Sequence, residues 1–237
     1  MTHPRFAAAL VGTDTAVGKT ALGVALLRLA HRAGLRAAPF KPVETGCQFP
    51  DETDHAQLLI ASGSETLTLS DVCPHRFALP VAPAVGAAAA GLELKVQDLA
   101  RAAQRLAADA DFFLLETAGG LLAPYGPGFT GADLVAAVAL PVVLVARNGL
   151  GTINHSALTI AELRRRSIPI AAFILVETTA GPTPDRPHNA RLIAELTGVE
   201  ALATLPYVPR PTADALADAL ASVVAPDRLF ERLARAC

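Results

Sequence analysis

The chain has 237 residues, of which 52% are hydrophobic and 18% charged, with a net charge of −2. With no tryptophan and 5% aromatics, the large core such a composition supplies must be mostly Ala, Leu, Val and Ile. The near-neutral balance excludes the electrostatic footprint of a nucleic-acid or anionic-membrane binder. From the N-terminus, the apolar run Phe6 to Val11 reads as a buried strand, with no convincing leader cleavage site after it. Lys19 to Ala33 carries Leu22, Leu26, Leu27 and Leu29 on a helical period and stops at Gly34. Ala37 to Phe40 is the next strand, and Ala56 to Leu59 starts a helical pattern. Val81 to Gly91, rich in Ala and Pro, reads as a loop and a short helix. Helices are then predicted over Leu99 to Ala108, Val135 to Ala139, Ser156 to Arg166 and Ala190 to Thr197. Strands are predicted over Phe112 to Leu115, Val142 to Val145, Ile168 to Val176 and Ala201 to Leu205. Ala213 to Ala236 is helix-rich with an interruption near Pro226.

These strands are continuous apolar runs rather than alternating ones, the pattern of a parallel sheet buried on both faces. The expected fold is one doubly wound, mostly parallel α/β domain of the P-loop NTPase type, spanning 1–237. Arg164, Arg165 and Arg166 read as a solvated helix end that complements the dipole. Gly181 to Pro187 holds three prolines and a glycine and is expected to be a mobile loop bordering the site. Cys47, Cys73 and Cys237 fit no zinc or disulfide framework and are expected to be free thiols. No apolar stretch has the length of a membrane span, so the expected location is cytoplasmic.

Between the first strand and helix lies Gly12-Thr13-Asp14-Thr15-Ala16-Val17-Gly18-Lys19-Thr20. A P-loop has Gly, four residues, then Gly-Lys-Ser/Thr. Here Thr13 stands at the first glycine position and Gly12 comes one residue early. Strand, tight loop and helix nevertheless follow in the right order, so backbone N–H groups from Thr15, Ala16, Val17, Gly18, Lys19, Thr20 and Ala21 can cradle phosphates. Lys19 can reach the terminal phosphates and the Thr20 hydroxyl can ligate Mg2+.

Phe40-Lys41-Pro42-Val43-Glu44-Thr45-Gly46 ends the second strand. Farther on come Glu116-Thr117-Ala118-Gly119-Gly120, with Pro124, Thr130 and Asp133, then Gly149-Leu150-Gly151-Thr152-Ile153-Asn154-His155 with Ala157-Leu158-Thr159. Together with the phosphate loop, these blocks resemble the dethiobiotin synthetases in order and spacing, from about Phe6 to Val208. The resemblance implies an ATP-dependent ligase that joins CO2 to the vicinal diamine 7,8-diaminononanoate and closes a cyclic urea. It implies Lys41 and Lys19 as catalytic cations. It implies a metal site for Mg2+ at Thr20, Asp54 and Glu116, with Asp54 chosen over Asp51 and Glu52 because it directly precedes a helical pattern. Gly119 allows close approach of backbone to nucleotide. Thr15, Lys41 and Thr45 would contact the diamine or its carbamate. Gly151, Ile153 and Asn154, supplied by a second subunit, would hold the substrate carboxylate, which implies a homodimer with sites at the interface. His155 is expected to be a structural hydrogen-bonder.

The chain departs from that family at three positions. Thr117 stands where the family usually has Gly, and is expected to narrow the site or shift the backbone. Ala84 stands where His is frequent. Val176 stands where an Asn commonly reads the adenine edge, which leaves base recognition to backbone near Val176, Glu177, Pro206, Tyr207 and Val208, or leaves it loose. Alternative readings are a ParA- or MinD-like switch ATPase, a cobyrinate-type amidoligase relative, and an inactive homologue. Thr13-Asp14-Thr15 lacks the signature lysine of the switch, and the chain has no glutaminase motif.

Overall fold

A parallel sheet of six strands forms the centre of the molecule, in a computed structural model that describes residues 4–47 and 53–235. Its order is β10 (Ala203–Leu205), β9 (Ile170–Val176), β8 (Val142–Arg147), β1 (Phe6–Gly12), β5 (Phe112–Gly120) and β2 (Ala37–Phe40). All five pairings are parallel. The chain starts in the middle and the order reverses beside β1, which opens a crevice at the carboxyl ends of the strands.

Strand β1 shows why the runs read as unbroken apolar sequence. Ala8 and Leu10 point into one core, while Ala7, Ala9 and Val11 point into the other. On the first face lie α1 (Lys19–Arg32), α9 (Ala213–Val223) and α10 (Pro226–Arg235). Phe230 of α10 closes that core, its ring centroid 5.4 Å from Phe6 and 5.8 Å from Phe112. The second face carries α5 (Val96–Ala107), α6 (Gly131–Val138), α7 (Thr152–Arg165) and α8 (Arg186–Thr197). Pro226 opens α10, which accounts for the expected interruption.

Helices α5, α6, α7 and α8 begin three or four residues before their predicted starts, because their first turns carry few large apolar residues, whereas α1 and α9 begin where expected. Thr130 donates its N–H and its hydroxyl to Asp133 Oδ2, both at 2.7 Å, and so starts α6 ahead of Val135. The arginine run is not simply solvated: Arg166 reaches Asp133 at 2.7 Å and Glu162 at 2.6 Å, tying α7 to α6. Short polar elements were absent from the expectation altogether. These are β3 (Val43–Thr45) paired with β4 (His75–Phe77), the hairpin β6 (Pro124–Gly126) and β7 (Phe129–Thr130), and α3 (Leu69–Val72). Helices α2 (Asp54–Ser62) and α4 (Pro83–Ala89) complete the chain, and Ala84 sits on α4. No helix among the described residues is long and apolar enough to cross a membrane.

Candidate active site

The phosphate loop joins β1 to α1 at the switch point of the sheet. Gly12 answers the displaced glycine of the motif: a Cβ there would meet Lys19 Nζ at 2.7 Å and the Asp14 carbonyl at 2.8 Å. Lys19 folds back across that gap and donates to the Asp14 carbonyl at 2.9 Å. Burial depresses its pKa to about 8, Glu116 pulling it upward and Lys41 pushing it down. Gly18 turns the chain into α1 with φ +95°, a left-handed conformation that suits glycine. It also presses on β9, since a Cβ at Gly18 would lie 2.5 Å from Val176 Cγ1.

Beside the loop is a buried charge cluster. The Lys41 ammonium donates to Glu116 Oε1 at 2.8 Å and to Asp54, and the Thr20 hydroxyl donates to the same Glu116 oxygen at 2.8 Å. Burial alone would depress the Lys41 pKa, but Glu116, then Asp54 and Glu44, hold it raised, so Lys41 is a permanent cation. Glu116 Oε2 is buried with no hydrogen-bond partner. One hydroxyl and two carboxylates, with one carboxylate oxygen unused, form an all-oxygen donor set suited to a hard divalent cation such as Mg2+. Asp51 and Glu52, which competed with Asp54 in sequence, lie outside the described residues.

Glu44 was not singled out from sequence, yet it fixes the position of Asp54. Its carboxylate accepts the N–H groups of Asp54 and His55, each at 3.0 Å, and pairs with His55 Nδ1 at 2.8 Å. These contacts anchor the first turn of α2, from which Asp54 meets Lys41. Its pKa is lowered: burial opposes the charge, while His55 and Lys41 outweigh it. The only clue in sequence is a charged residue inside a strand-like run.

A cavity of about 530 Å³ runs from this cluster past Val176, Glu177, Pro206, Tyr207 and Val208. It is lined by every predicted nucleotide residue except Val17, which is 2% exposed in the core. A second cavity, of about 720 Å³, reaches α7 through Leu158, Thr159 and Glu162. The two share Thr15, Thr45, Ala118 and Gly119.

A family model described as an AAA domain matches residues 8–215. The ATP-dependent dethiobiotin synthetase BioD of Anaeromyxobacter dehalogenans (strain 2CP-C) is 46% identical over 200 residues, covering 84% of this chain and 89% of that protein. The chain belongs to the dethiobiotin synthetase family. The BioD of Rhodococcus erythropolis is 36% identical over 199 residues, 83% of this chain and 86% of that one. A ParA-family ATPase from Chlorobium tepidum superimposes with a TM-score of 0.54 over 98% of this chain and 96% of its own, at 11% identity. That likeness shows the fold alone.

The departures from the dethiobiotin synthetase pattern now have a physical reading. Thr117 turns its hydroxyl onto the Leu10 carbonyl at 3.2 Å and is fully buried. Register runs from Leu10↔Glu116 to Gly12↔Gly120, so Thr117, Ala118 and Gly119 bulge opposite Val11. The bulge is held by Tyr125, whose buried hydroxyl accepts from the Ala118 N–H at 2.6 Å. Tyr125→Phe is expected to cost about 1–3 kcal/mol, because the buried Ala118 N–H loses its hydroxyl partner; urea unfolding checks it, and an unchanged midpoint would refute it.

Val176 is only 3% exposed and leans on Gly18. Gly151, Ile153 and Asn154 lie at the start of α7 and line neither cavity of their own chain. His155 bonds through its backbone, its carbonyl accepting from the Thr159 hydroxyl at 2.8 Å. Gly181 to Pro187 lines neither cavity but lies beside the first: Arg186 pairs with Glu177 of its lining at 3.7 Å, and folds the segment back onto the Gly181 and Thr179 carbonyls and onto the Asn148 carbonyl at 3.2 Å.

Proposed function

We infer that the chain is an ATP-dependent dethiobiotin synthetase, a C–N-forming ligase of biotin biosynthesis and a single P-loop-type α/β domain. The observation that carries this reading, beside the family relationship, is the pair of cavities that share Thr15, Thr45, Ala118 and Gly119. A nucleotide in one and a small diamine in the other would meet beside Lys19 and Lys41. One amine of 7,8-diaminononanoate adds to CO2, giving a carbamate and releasing a proton. A carbamate oxygen attacks the γ-phosphorus and ADP departs. The second amine then attacks the carbamate carbon and phosphate leaves as the ring closes.

Lys19 and Lys41 neutralise charge on the transferring phosphoryl group, and Thr15 and Thr45 position the carbamate. Thr20, Asp54 and Glu116 would hold Mg2+, which when bound supplies further neutralisation of the phosphate oxygens. Gly151, Ile153 and Asn154 would serve the neighbouring subunit of a homodimer in the cytoplasm; exposed Leu150 and Leu158 on the same segment support an interface there. The test is phosphate release from ATP, Mg2+ and bicarbonate with and without the diamine, with the product weighed by mass spectrometry. Release that ignores the diamine would overturn the reading in favour of a switch ATPase.

Base selectivity follows from the apolar end of the first cavity. Val176, Leu205, Pro206, Val208 and Leu216 offer no side-chain hydrogen bond to a base, which leaves Glu177, Thr178 and Tyr207 as the polar side chains of that end. kcat/KM for ATP, CTP and GTP is expected to agree within about tenfold, or ~1.4 kcal/mol. A strong preference for ATP would rule this out.

A further inference from the structure

Apart from the oxygen-donor cluster lies a second group of possible ligands with different chemistry. Glu44, Cys47 and His55 each present one donor atom, and the three atoms lie within 4.8 Å of one another. His55 is 2% and Glu44 6% exposed, and Cys47 is half-buried with its thiol hydrogen-bonded to Glu44. The arrangement is built by the fold. Gly46, at φ +82°, turns the chain out of β3, and the N–H groups of Gly46 and Cys47 are tied to the Leu79 and Phe77 carbonyls at 3.0 and 3.1 Å. His55 comes from the first turn of α2, on the other side of Glu44.

We propose that Glu44, Cys47 and His55 bind a thiophilic divalent metal ion of the Zn2+ class, separate from the Mg2+-type site at Thr20, Asp54 and Glu116. Ligand atoms around tetrahedral zinc lie about 3.3–3.8 Å apart, given metal–ligand distances of about 2.0–2.3 Å. The group closes to that spacing by small movements, the largest a rotation of the half-buried Cys47 side chain. The ion replaces the proton between His55 Nδ1 and Glu44 Oε2, now 2.8 Å apart. The proton displaced from Nδ1 is relocated through solvent to Nε2, so the imidazole ligates as its neutral Nε2–H tautomer, with Thr53 Oγ1 3.4 Å from Nε2. The Cys47 thiol proton is released to solvent as the thiolate ligates. Water takes the fourth position. Thiolate and imidazole select against Mg2+, so the two sites do not compete for one ion.

The site also bears on the reaction centre, because Glu44 holds the Asp54 N–H through its other oxygen. Drawing Glu44 onto a metal loosens the turn that aims Asp54 at Lys41. The proposal does not depend on which reaction the chain catalyses.

The experiment is a Co2+ titration of the full chain in excess Mg2+. The expected result is a thiolate-to-cobalt charge-transfer band in the near ultraviolet that saturates at one equivalent. Carboxylates and hydroxyls give no such band. It is lost in Cys47→Ser, retained in Cys73→Ser and Cys237→Ser, and needs at least about tenfold more Co2+ in His55→Gln. Circular dichroism of Cys47→Ser is expected to match that of the parent, so loss of the band reports loss of a ligand. Absence of the band in the parent, its survival in Cys47→Ser, or parent-like affinity in His55→Gln would each overturn the proposal.

Discussion

Lys41→Ala lowers kcat by about 100- to 1,000-fold and weakens nucleotide binding far less. The ammonium bridges Glu116 and Asp54, at 5% side-chain exposure for Lys41 and 1% for Glu116. There it is a cation held in place before any substrate arrives, so little reorganisation is left for the moment of reaction. Nucleotide affinity is expected to rest more on the phosphate loop and Lys19, which the change leaves in place. The same substitution strips Glu116 and Asp54 of their counter-charge. Breaking a buried pair costs about 3–5 kcal/mol, so the unliganded variant is expected to melt at lower temperature than the parent. Mg2+ is expected to restore part of that loss, as it would fill the space between the same carboxylates. Steady-state kinetics, nucleotide titration and melting with and without Mg2+ separate these effects. An unchanged turnover would remove Lys41 from the chemistry.

Gly18→Ala is expected to abolish nucleotide binding at concentrations that saturate the parent. Two costs combine. The left-handed backbone at φ +95° strains any residue with a Cβ, by about 1–3 kcal/mol. The methyl would also lie 2.5 Å from Val176 Cγ1, and overpacking adds about 1–3 kcal/mol. The double variant Gly18→Ala with Val176→Ala tests the division, because residues in contact do not act additively. Removing the valine methyls is expected to recover the overpacking part and leave the strain. Denaturant unfolding with nucleotide titration reads both. A Gly18→Ala chain with parental stability and affinity would mean that the loop opens freely away from β9.

That contact gives Val176 a meaning its sequence position did not suggest. Read against the family, it is a missing amide at the base end. In the structure it is also the floor of the phosphate loop, directly before Glu177 in the lining of the first cavity. Only the fold brings residue 176 under residue 18. The same holds for the charge cluster. Lys41 and Glu116 are 75 residues apart and meet because β2 and β5 are neighbours with Phe40 opposite Leu115, while Asp54, on the first turn of α2, is brought to them by Glu44. No periodicity could have joined them; the resemblance did.

The six main strands, in contrast, were legible from the chain alone, because burial on both faces forces uninterrupted apolar sequence. β3, β4, β6 and β7 escaped notice since two- or three-residue strands are too short to show a period. Glu44 escaped for a different reason. A carboxylate that caps a helix ten residues away looks like any surface charge until the helix is placed.

The strand order carries a consequence for synthesis of the protein. β1 emerges first but is central, and its neighbours β5 and β8 begin only at Phe112 and Val142. Phe230, which covers Phe6 and Phe112, comes later still, on α10. A growing chain therefore carries its fully buried central strand unpaired through a long stretch of translation, and cannot seal that core until α10 is made. Such long-range closure slows folding and exposes sticky surface meanwhile. The nascent chain is thus expected to lean on chaperones in the cell, and a stop codon shortly before Phe230 to yield aggregates rather than a smaller enzyme.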